Sequence, residues 1–63
     1  IMSMYYIYTY VPQMGRHGEL MKTARYRTRS KAVARVERDY ERNMTSHIRE
    51  YPIGEIAPNK LAS

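Results

Sequence analysis

The sequence predicts a small α+β domain in which two strands, a helix and a third strand follow one another. Three observations predict it: an aromatic, β-branched run near the N-terminus, a second run with cations at alternate positions, and a helical repeat of apolar residues mid-chain. The chain has 63 residues and no cysteine, so we expect one domain over 1–63 with a thin core and no disulfide. That core should cover about 4–56, leaving 57–63 as a loose tail.

The first strand is predicted from Met4 to Val11, which reads Met-Tyr-Tyr-Ile-Tyr-Thr-Tyr-Val. Pro12 to Gly18 contains a proline and two glycines, which are typical of a chain reversal. Residues 19–29 then predict a second strand. Side chains alternate between the two faces of a strand, so this strand should have one core face and one cationic face. The expected core residues are Leu20, Ala24 and Tyr26, and the opposite face carries Thr23, Arg25, Arg27 and Arg29.

A helix is predicted from about Lys31 to Met44, with Ser30 as N-cap and Asn43 as the stop. At about 100° per residue, its apolar side chains fall on one face and its cations on the opposite one. The apolar face consists of Val33, Val36, Tyr40 and Met44, and the cationic stripe of Lys31, Arg35, Arg38 and Arg42.

Residues 46–51 predict a third, weaker strand with Ile48 and Tyr51 as anchors. Pro52 cannot donate to a strand ladder, so this strand should either be an edge strand or end there. The helix carries the chain back across one face, and the third strand then pairs with the free edge of the first. We therefore expect a three-stranded antiparallel sheet of order 2-1-3, with the helix on one face and the other face open.

The open face is expected to carry the tyrosines of the first strand, because Ile7 and Val11 are better core residues. The strand-two arginines would then lie beside the tyrosines, and tyrosine with arginine suits stacking and charge-assisted hydrogen bonds. Two interpretations stay open. The stripe is either a ligand-binding surface or the seam of a homodimer beside a solvated arginine face.

The charge is strongly regional. The chain has a formal net charge of +5, and nine of its eleven cations fall between Arg16 and Arg42. The stretch from Lys22 to Val36 contains six cations and no acid. Such a field attracts an acidic protein surface or the phosphates of a nucleic acid. No RNA-recognition sheet motif, helix-turn-helix spacing or zinc-ligand set is present, so nucleic acid would be bound mainly through its backbone.

Catalysis, cofactors and metals find little support in the sequence. His17 and His47 are the only histidines, and two histidines with scattered carboxylates do not form a convincing metal site. A ribonuclease-like set of His47, Arg49 and Glu50 is hindered because Glu50 faces the other side of its strand. We expect no enzyme activity and no cofactor. The longest apolar run is too short to span a bilayer, so we expect no membrane partner. The absence of cysteine fits a cytoplasmic location, which we expect for this chain.

A family resemblance rests on the strand-to-helix passage Tyr26 to Ala32, on Arg49-Glu50-Tyr51-Pro52 and on Ala57-Pro58-Asn59-Lys60. With the strand order, these segments resemble small phage-encoded inhibitors of bacterial RNA polymerase and, more distantly, anti-CRISPR proteins. The resemblance implies a non-enzymatic inhibitor in which Arg49 docks on the target. That family is acidic where this chain is basic, and Tyr51 stands where its second docking arginine would be.

The sequence thus predicts a binding module, plausibly phage-encoded, that acts in a bacterial host by docking on a larger defence or transcription complex. The alternative is a small basic DNA- or RNA-binding regulator. Tyrosine and arginine are enriched at interface hot spots. The predicted partner-binding residues are Tyr6, Tyr8, Tyr10, Arg25, Arg27, Arg29 and Arg49, with Arg35, Arg38 and Arg42 as a second patch.

Overall fold

The computed structural model describes residues 2–11 and 18–61, which form one antiparallel sheet and one helix. The elements are β1 (Ser3–Val11), β2 (Glu19–Tyr26), α1 (Arg29–Glu41), β3 (Ser46–Pro52) and β4 (Lys60–Leu61). The strand order is β3-β1-β2-β4, and every neighbouring pair is antiparallel. The α+β class, the single helix and the central position of β1 are confirmed. The prediction of three strands was wrong, because β4 adds a fourth beside β2.

β1 lies at the centre of the sheet, with cover on both of its faces. Ile7 and Tyr8 are neighbours in the chain and point to opposite faces, yet neither side chain is accessible to solvent. Ile7 lies on the helix side. Tyr8 lies on the other side, where its hydroxyl donates to the carbonyl of Pro58 at 2.7 Å. The tyrosine stripe therefore points away from the helix, as expected, but that face is not fully open.

A β-bulge in β2 overturns the predicted alternation of its side chains. Ala24 lies opposite Ile7 and Lys22 lies opposite Tyr8, so Thr23 is the extra residue. A bulge shifts the phase of the strand by one residue. Lys22 and Arg25, which strict alternation puts on opposite faces, thus lie on the same face. β2 ends at Tyr26, so the predicted row of arginines is not carried by one strand.

The helix begins and ends earlier than its predicted limits. Its N-cap is Thr28 rather than Ser30, because the Thr28 Oγ1 accepts a hydrogen bond from the Lys31 N–H at 3.3 Å. Arg42 is the C-cap, and Asn43 follows with φ 62°. Asparagine tolerates this left-handed conformation better than most residues. The predicted role of Asn43 as the helix stop is confirmed.

The helix packs on the sheet through a different face from the one predicted. Ala32 and Asp39 are its buried residues, whereas Val33 is 37% exposed and Tyr40 79% exposed. Arg35, expected on the cationic stripe, is only partly exposed and its Nη1 donates to the Tyr26 hydroxyl at 3.4 Å. Polar contacts with the strands, rather than apolar spacing, thus set the rotation of the helix.

A continuous polar network joins the sheet to the helix. Thr9 in β1 is hydrogen-bonded to Thr23 and to Ser46, each at 2.8 Å between hydroxyl oxygens. Ser46 donates to Asp39 at 2.6 Å, and the Arg35 Nε donates to both carboxylate oxygens at 3.1 and 3.2 Å. No buried side-chain nitrogen or oxygen of the described residues lacks a partner, so the network is satisfied at every buried atom.

Burial opposes ionisation of Asp39, whose exposure is 1%. The hydrogen bonds from Ser46 and Arg35 and the charges of Arg35 and Arg38 outweigh that effect and hold the pKa of this carboxyl below its usual value. The hydrogen bond to Tyr26 is the largest contribution that raises the pKa of Arg35, and Asp39 adds to it. Asp39 is therefore an ionised anchor for both α1 and β3.

Residues 57–61 of the predicted tail are described by the structure, and they include the short strand β4. Residues 53–59, here called the crossing segment, connect β3 at one edge of the sheet to β4 at the other edge. Ala57 is buried, and the Asn59 carbonyl accepts from the Lys22 N–H at 2.8 Å. The crossing segment is thus the cover on the tyrosine side. The predicted reversal lies outside the described residues apart from Gly18, and His17 also lies outside them.

Candidate binding face

Two arginines flank one tyrosine on the side of the sheet away from the helix. Tyr6 is opposite Arg25 of β2 and opposite Arg49 of β3. Residues directly opposite in an antiparallel pair share a face, with Cβ atoms about 5 Å apart. Both arginines are exposed. The fold thus brings together two predicted site residues that are twenty-four positions apart in the chain.

Tyr6 is held in place by two further side chains. Its ring packs edge-on against Tyr51, with centroids 5.8 Å apart and an interplanar angle of 73°. The Lys22 ammonium lies 5.4 Å from the centre of the Tyr6 ring and donates to the Ala57 carbonyl at 3.2 Å. We call the set Tyr6, Lys22, Arg25, Arg49 and Tyr51 the basic face.

Negative charge is missing from the strand positions of this face. Glu19 pairs with Val11 and Glu50 pairs with Tyr5, and these register positions belong to the helix side. Among the described residues, ion pairs join Asp39 to Arg35 and Arg38, and Lys60 to Glu19. Lys22, Arg25 and Arg49 take part in none of them. Their charge is therefore available to an external anion.

An open hollow of about 360 Å³ adjoins the basic face along β2. It is lined by Tyr6, Arg25 and the residues around the bulge, Lys22, Thr23 and Ala24. β4 pairs only with Leu20 and Met21, so the part of β2 beside the hollow extends past the end of β4. An acidic group entering the hollow would meet the Lys22 ammonium and the Arg25 guanidinium together.

The other predicted tyrosines have different surroundings. Tyr8 is buried under the crossing segment, and burial, together with the neighbouring Tyr51 hydroxyl, raises its pKa to about 12. It cannot contact a partner, nor form a dimer seam, without displacement of that segment. Tyr10 is 39% exposed, and its ring lies against Gly18, which has φ 77° and no room for a Cβ.

The remaining predicted arginines are spread over other surfaces. Arg27 follows the end of β2, beside Met2, Tyr5 and Glu50. Arg29 is the first residue of the helix. Arg35 belongs to the polar network, whereas Arg38 and Arg42 remain exposed on or next to the helix, where the second patch was expected. The predicted site is thus divided between the two layers of the molecule.

Lys22 and Tyr51 are the members of the basic face that the sequence analysis did not include. Lys22 was missed because a bulge leaves no clear trace in a single sequence. Tyr51 was recognised as a sheet anchor, but its contact with Tyr6 depends on the register of β3. The alternation of His47, Arg49 and Tyr51 along one strand face was the available signal.

The ribonuclease-like set of His47, Arg49 and Glu50 is divided between the two sides of the sheet. His47 is opposite Tyr8 and so lies on the side of the basic face, while Glu50 is on the helix side. No group of three His, Asp or Glu side chains within residues 2–11 and 18–61 is placed to hold a metal ion. In the same ranges no helix has the length and apolar character needed to cross a membrane.

Comparisons with protein-family models, with curated proteins and with solved structures found no match for this chain.

Proposed function

We propose that this protein is a non-catalytic binding module that docks its basic face on an acidic protein surface. The observation that carries the proposal is the row Arg25–Tyr6–Arg49, which has Lys22 beside it and no ion pair among the described residues. Arginine and tyrosine are the residue types that most often dominate binding energy at protein interfaces.

A protein partner suits the packing of the tyrosines better than a nucleic acid does. Unpaired bases bind by stacking on open aromatic faces. The Tyr6 ring instead has the Lys22 ammonium over it and Tyr51 packed edge-on against it. The Tyr6 ring is thus occupied by neighbouring side chains, whereas Arg25 and Arg49 take part in no ion pair among the described residues and can bind carboxylates in bidentate geometry.

The resemblance to phage inhibitors extends this proposal to a biological role. We infer that the protein acts in the cytoplasm of a bacterial host and inhibits or modulates a larger transcription or defence complex. Arg49, the residue the resemblance singles out, is a member of the basic face. The alternative remains a basic regulator of DNA or RNA, supported by the net charge of +5 and the three unpaired cations on one face.

Affinity capture from bacterial lysate with matched charge variants tests the proposal. Arg25→Glu combined with Arg49→Glu should abolish capture of the partner, and the circular dichroism spectrum should stay unchanged. Lys31→Glu combined with Arg42→Glu changes the net charge by the same amount on the helix side and should retain capture. Equal loss in both double variants would overturn the docking surface, because it would reflect net charge alone.

Fluorescence anisotropy with duplex DNA, single-stranded DNA and RNA separates the two partner classes. We expect weak binding to all three that disappears at physiological salt. Tight binding whose logarithm falls linearly with the logarithm of salt concentration, and which the Arg25 and Arg49 variants remove, would replace the protein partner by a nucleic acid.

A further inference from the structure

The helix presents a second surface on the layer opposite the basic face. Val33, Val36 and Tyr40 are spaced as neighbours on one side of a helix, yet Val33 and Tyr40 are exposed. Beside them lies a shallow groove of about 540 Å³ lined by Val36, Glu37, Tyr40 and Glu41. A soluble chain seldom leaves a contiguous apolar stripe uncovered without a binding role.

The groove has an apolar floor and an acidic wall. Glu37 and Glu41 are exposed, and neither takes part in an ion pair among the described residues. Such a groove fits a side chain with an aliphatic stem and a cationic head, and the Tyr40 ring adds a favourable surface for a guanidinium. The complementary group is therefore an arginine or a lysine on an apolar background.

The same helix carries that complementary group at its other end. Arg29 is the first helical residue, it is exposed, and it takes part in no ion pair among the described residues. In an antiparallel pair of helices related by a two-fold axis level with residue 35, Arg29 of each copy lies level with Glu41 of the other. Val33 then lies level with the partner's Glu37, and the two apolar stripes overlap along residues 33–37, which include Val33 and Val36, while Tyr40 lies level with the partner's Ser30.

We propose that two copies of this chain associate through α1 in this antiparallel, two-fold arrangement. The interface is self-complementary: each copy offers one Arg29 and one acidic groove, as a closed symmetric dimer requires. The antiparallel orientation also sets the positive N-terminal end of each helix against the negative C-terminal end of the other. The occupant of the apolar stripe is thus a second copy.

The dimer has a consequence for binding. The helix and the basic face lie on opposite sides of the sheet, so association through α1 leaves two basic faces pointing outward. A partner with two acidic sites would then be bound bivalently, which raises the apparent affinity without new contacts. The dimer itself does not depend on the proposed function of the basic face.

Analytical ultracentrifugation of the full chain over a wide concentration series tests the dimer. A single helix pair is a small interface, so we expect a reversible shift from 7.5 kDa to twice that mass at high concentration. The buffer should contain about 0.15 M salt, which screens the repulsion between two positive chains. A constant monomer mass over the whole series would overturn the proposal.

Charge exchange identifies the contact. Arg29→Glu alone and Glu41→Arg alone should each raise the dimer dissociation constant about tenfold, equivalent to about 1.4 kcal/mol. The combined variant should restore dimerisation. Both substitutions suit their ends of the helix dipole, so the fold should be retained, and circular dichroism checks this.

Failure of the combined variant to restore the dimer would overturn the antiparallel arrangement. Arg25→Glu with Arg49→Glu should leave the dimer unchanged, because these residues lie on the other side of the sheet. A dimer lost in that variant would place the seam on the basic face. If the protein dimerises but captures no partner from lysate, the proposed function has failed and the dimer stands. If it captures a partner but stays monomeric, the dimer has failed and the proposed function stands.

Discussion

The two sides of the sheet are covered in different ways. On the helix side, a buried polar network joins the layers: Asp39 accepts from Ser46 and Arg35, and Ser46 is hydrogen-bonded to Thr9. On the other side, the crossing segment is held through its backbone carbonyls: the Tyr8 hydroxyl donates to Pro58, and the ammonium and amide of Lys22 donate to Ala57 and Asn59. The helix side therefore depends on complete satisfaction of a buried charge, and the tyrosine side depends on the buried Tyr8 ring and on hydrogen bonds to carbonyls.

This difference is reflected in what each side leaves exposed. The helix is oriented by Asp39 and Arg35, so its apolar stripe is turned outward and is free to meet another molecule. The crossing segment covers Tyr8 but not the row Arg25–Tyr6–Arg49. Each layer thus provides a candidate interface, one apolar and acidic, the other aromatic and basic.

The largest effect should follow loss of the charge on the helix side. Asp39→Ala removes the acceptor of Ser46 and leaves the partly exposed Arg35 guanidinium without its counter-charge. We expect a loss of about 3 kcal/mol of unfolding free energy, near the lower end for a broken buried pair. Urea denaturation measures it. Glu37→Ala removes the same charge from an exposed position of the helix and should change stability by less than about 0.5 kcal/mol. Similar losses in both variants would contradict the anchoring role of Asp39.

An intermediate effect is expected at acid pH. The pKa of Asp39 is lower in the folded protein than its usual value of about 3.9. Its stabilisation is therefore fully present above about pH 4 and is lost as pH falls through the folded pKa. Protonation leaves the carboxyl oxygens in place, so the loss should be smaller than in Asp39→Ala.

Thermal denaturation between pH 2 and pH 7 measures this dependence. Asp39→Asn cannot titrate at this position, so its melting temperature should fall less steeply with acid than that of the wild type. Parallel curves would show that other carboxylates govern acid unfolding.

The smallest effect should occur on the tyrosine side. Tyr8→Phe keeps the buried ring and removes only the hydrogen bond to Pro58. We expect a loss of about 1 kcal/mol, typical of a bond between neutral groups. Hydrogen exchange should show faster exchange of the Lys22 amide, which donates to Asn59, while amides in α1 remain protected. Equal loss of protection in both places would show that the two sides of the sheet unfold together and are not stabilised independently.

Much of the fold could be predicted because its signals are local. The aromatic run of β1 and Asn43 after the helix each act through their immediate neighbours. The helix limits were displaced because Thr28 and Ser30 are both good caps, and the choice between them depends on where β2 ends. β4 has only two residues, and no local preference marks so short a strand.

The candidate site was predicted in part for the same reason. Side chains alternate between the two faces along each strand, so the shared face of Tyr6, Arg25 and Arg49, which lie on three different strands, could be anticipated. Lys22 lies on the same face as these residues only because the bulge at Thr23 shifts the phase of β2 by one residue. Arg35 is not part of the predicted second patch, because its guanidinium is hydrogen-bonded to Asp39 and Tyr26.

The sequence by itself determined the α+β class, the central place of β1, the basic charge and the direction of the tyrosine stripe, since composition and short-range periodicity specify these properties. Only the tertiary structure decided which helix face is buried and how the C-terminal residues close the second face. Both depend on contacts between separate elements: Asp39 with Ser46, Ser46 with Thr9, and Tyr8 with Pro58. A single sequence carries no record of such pairings, because their energy arises only when the elements meet.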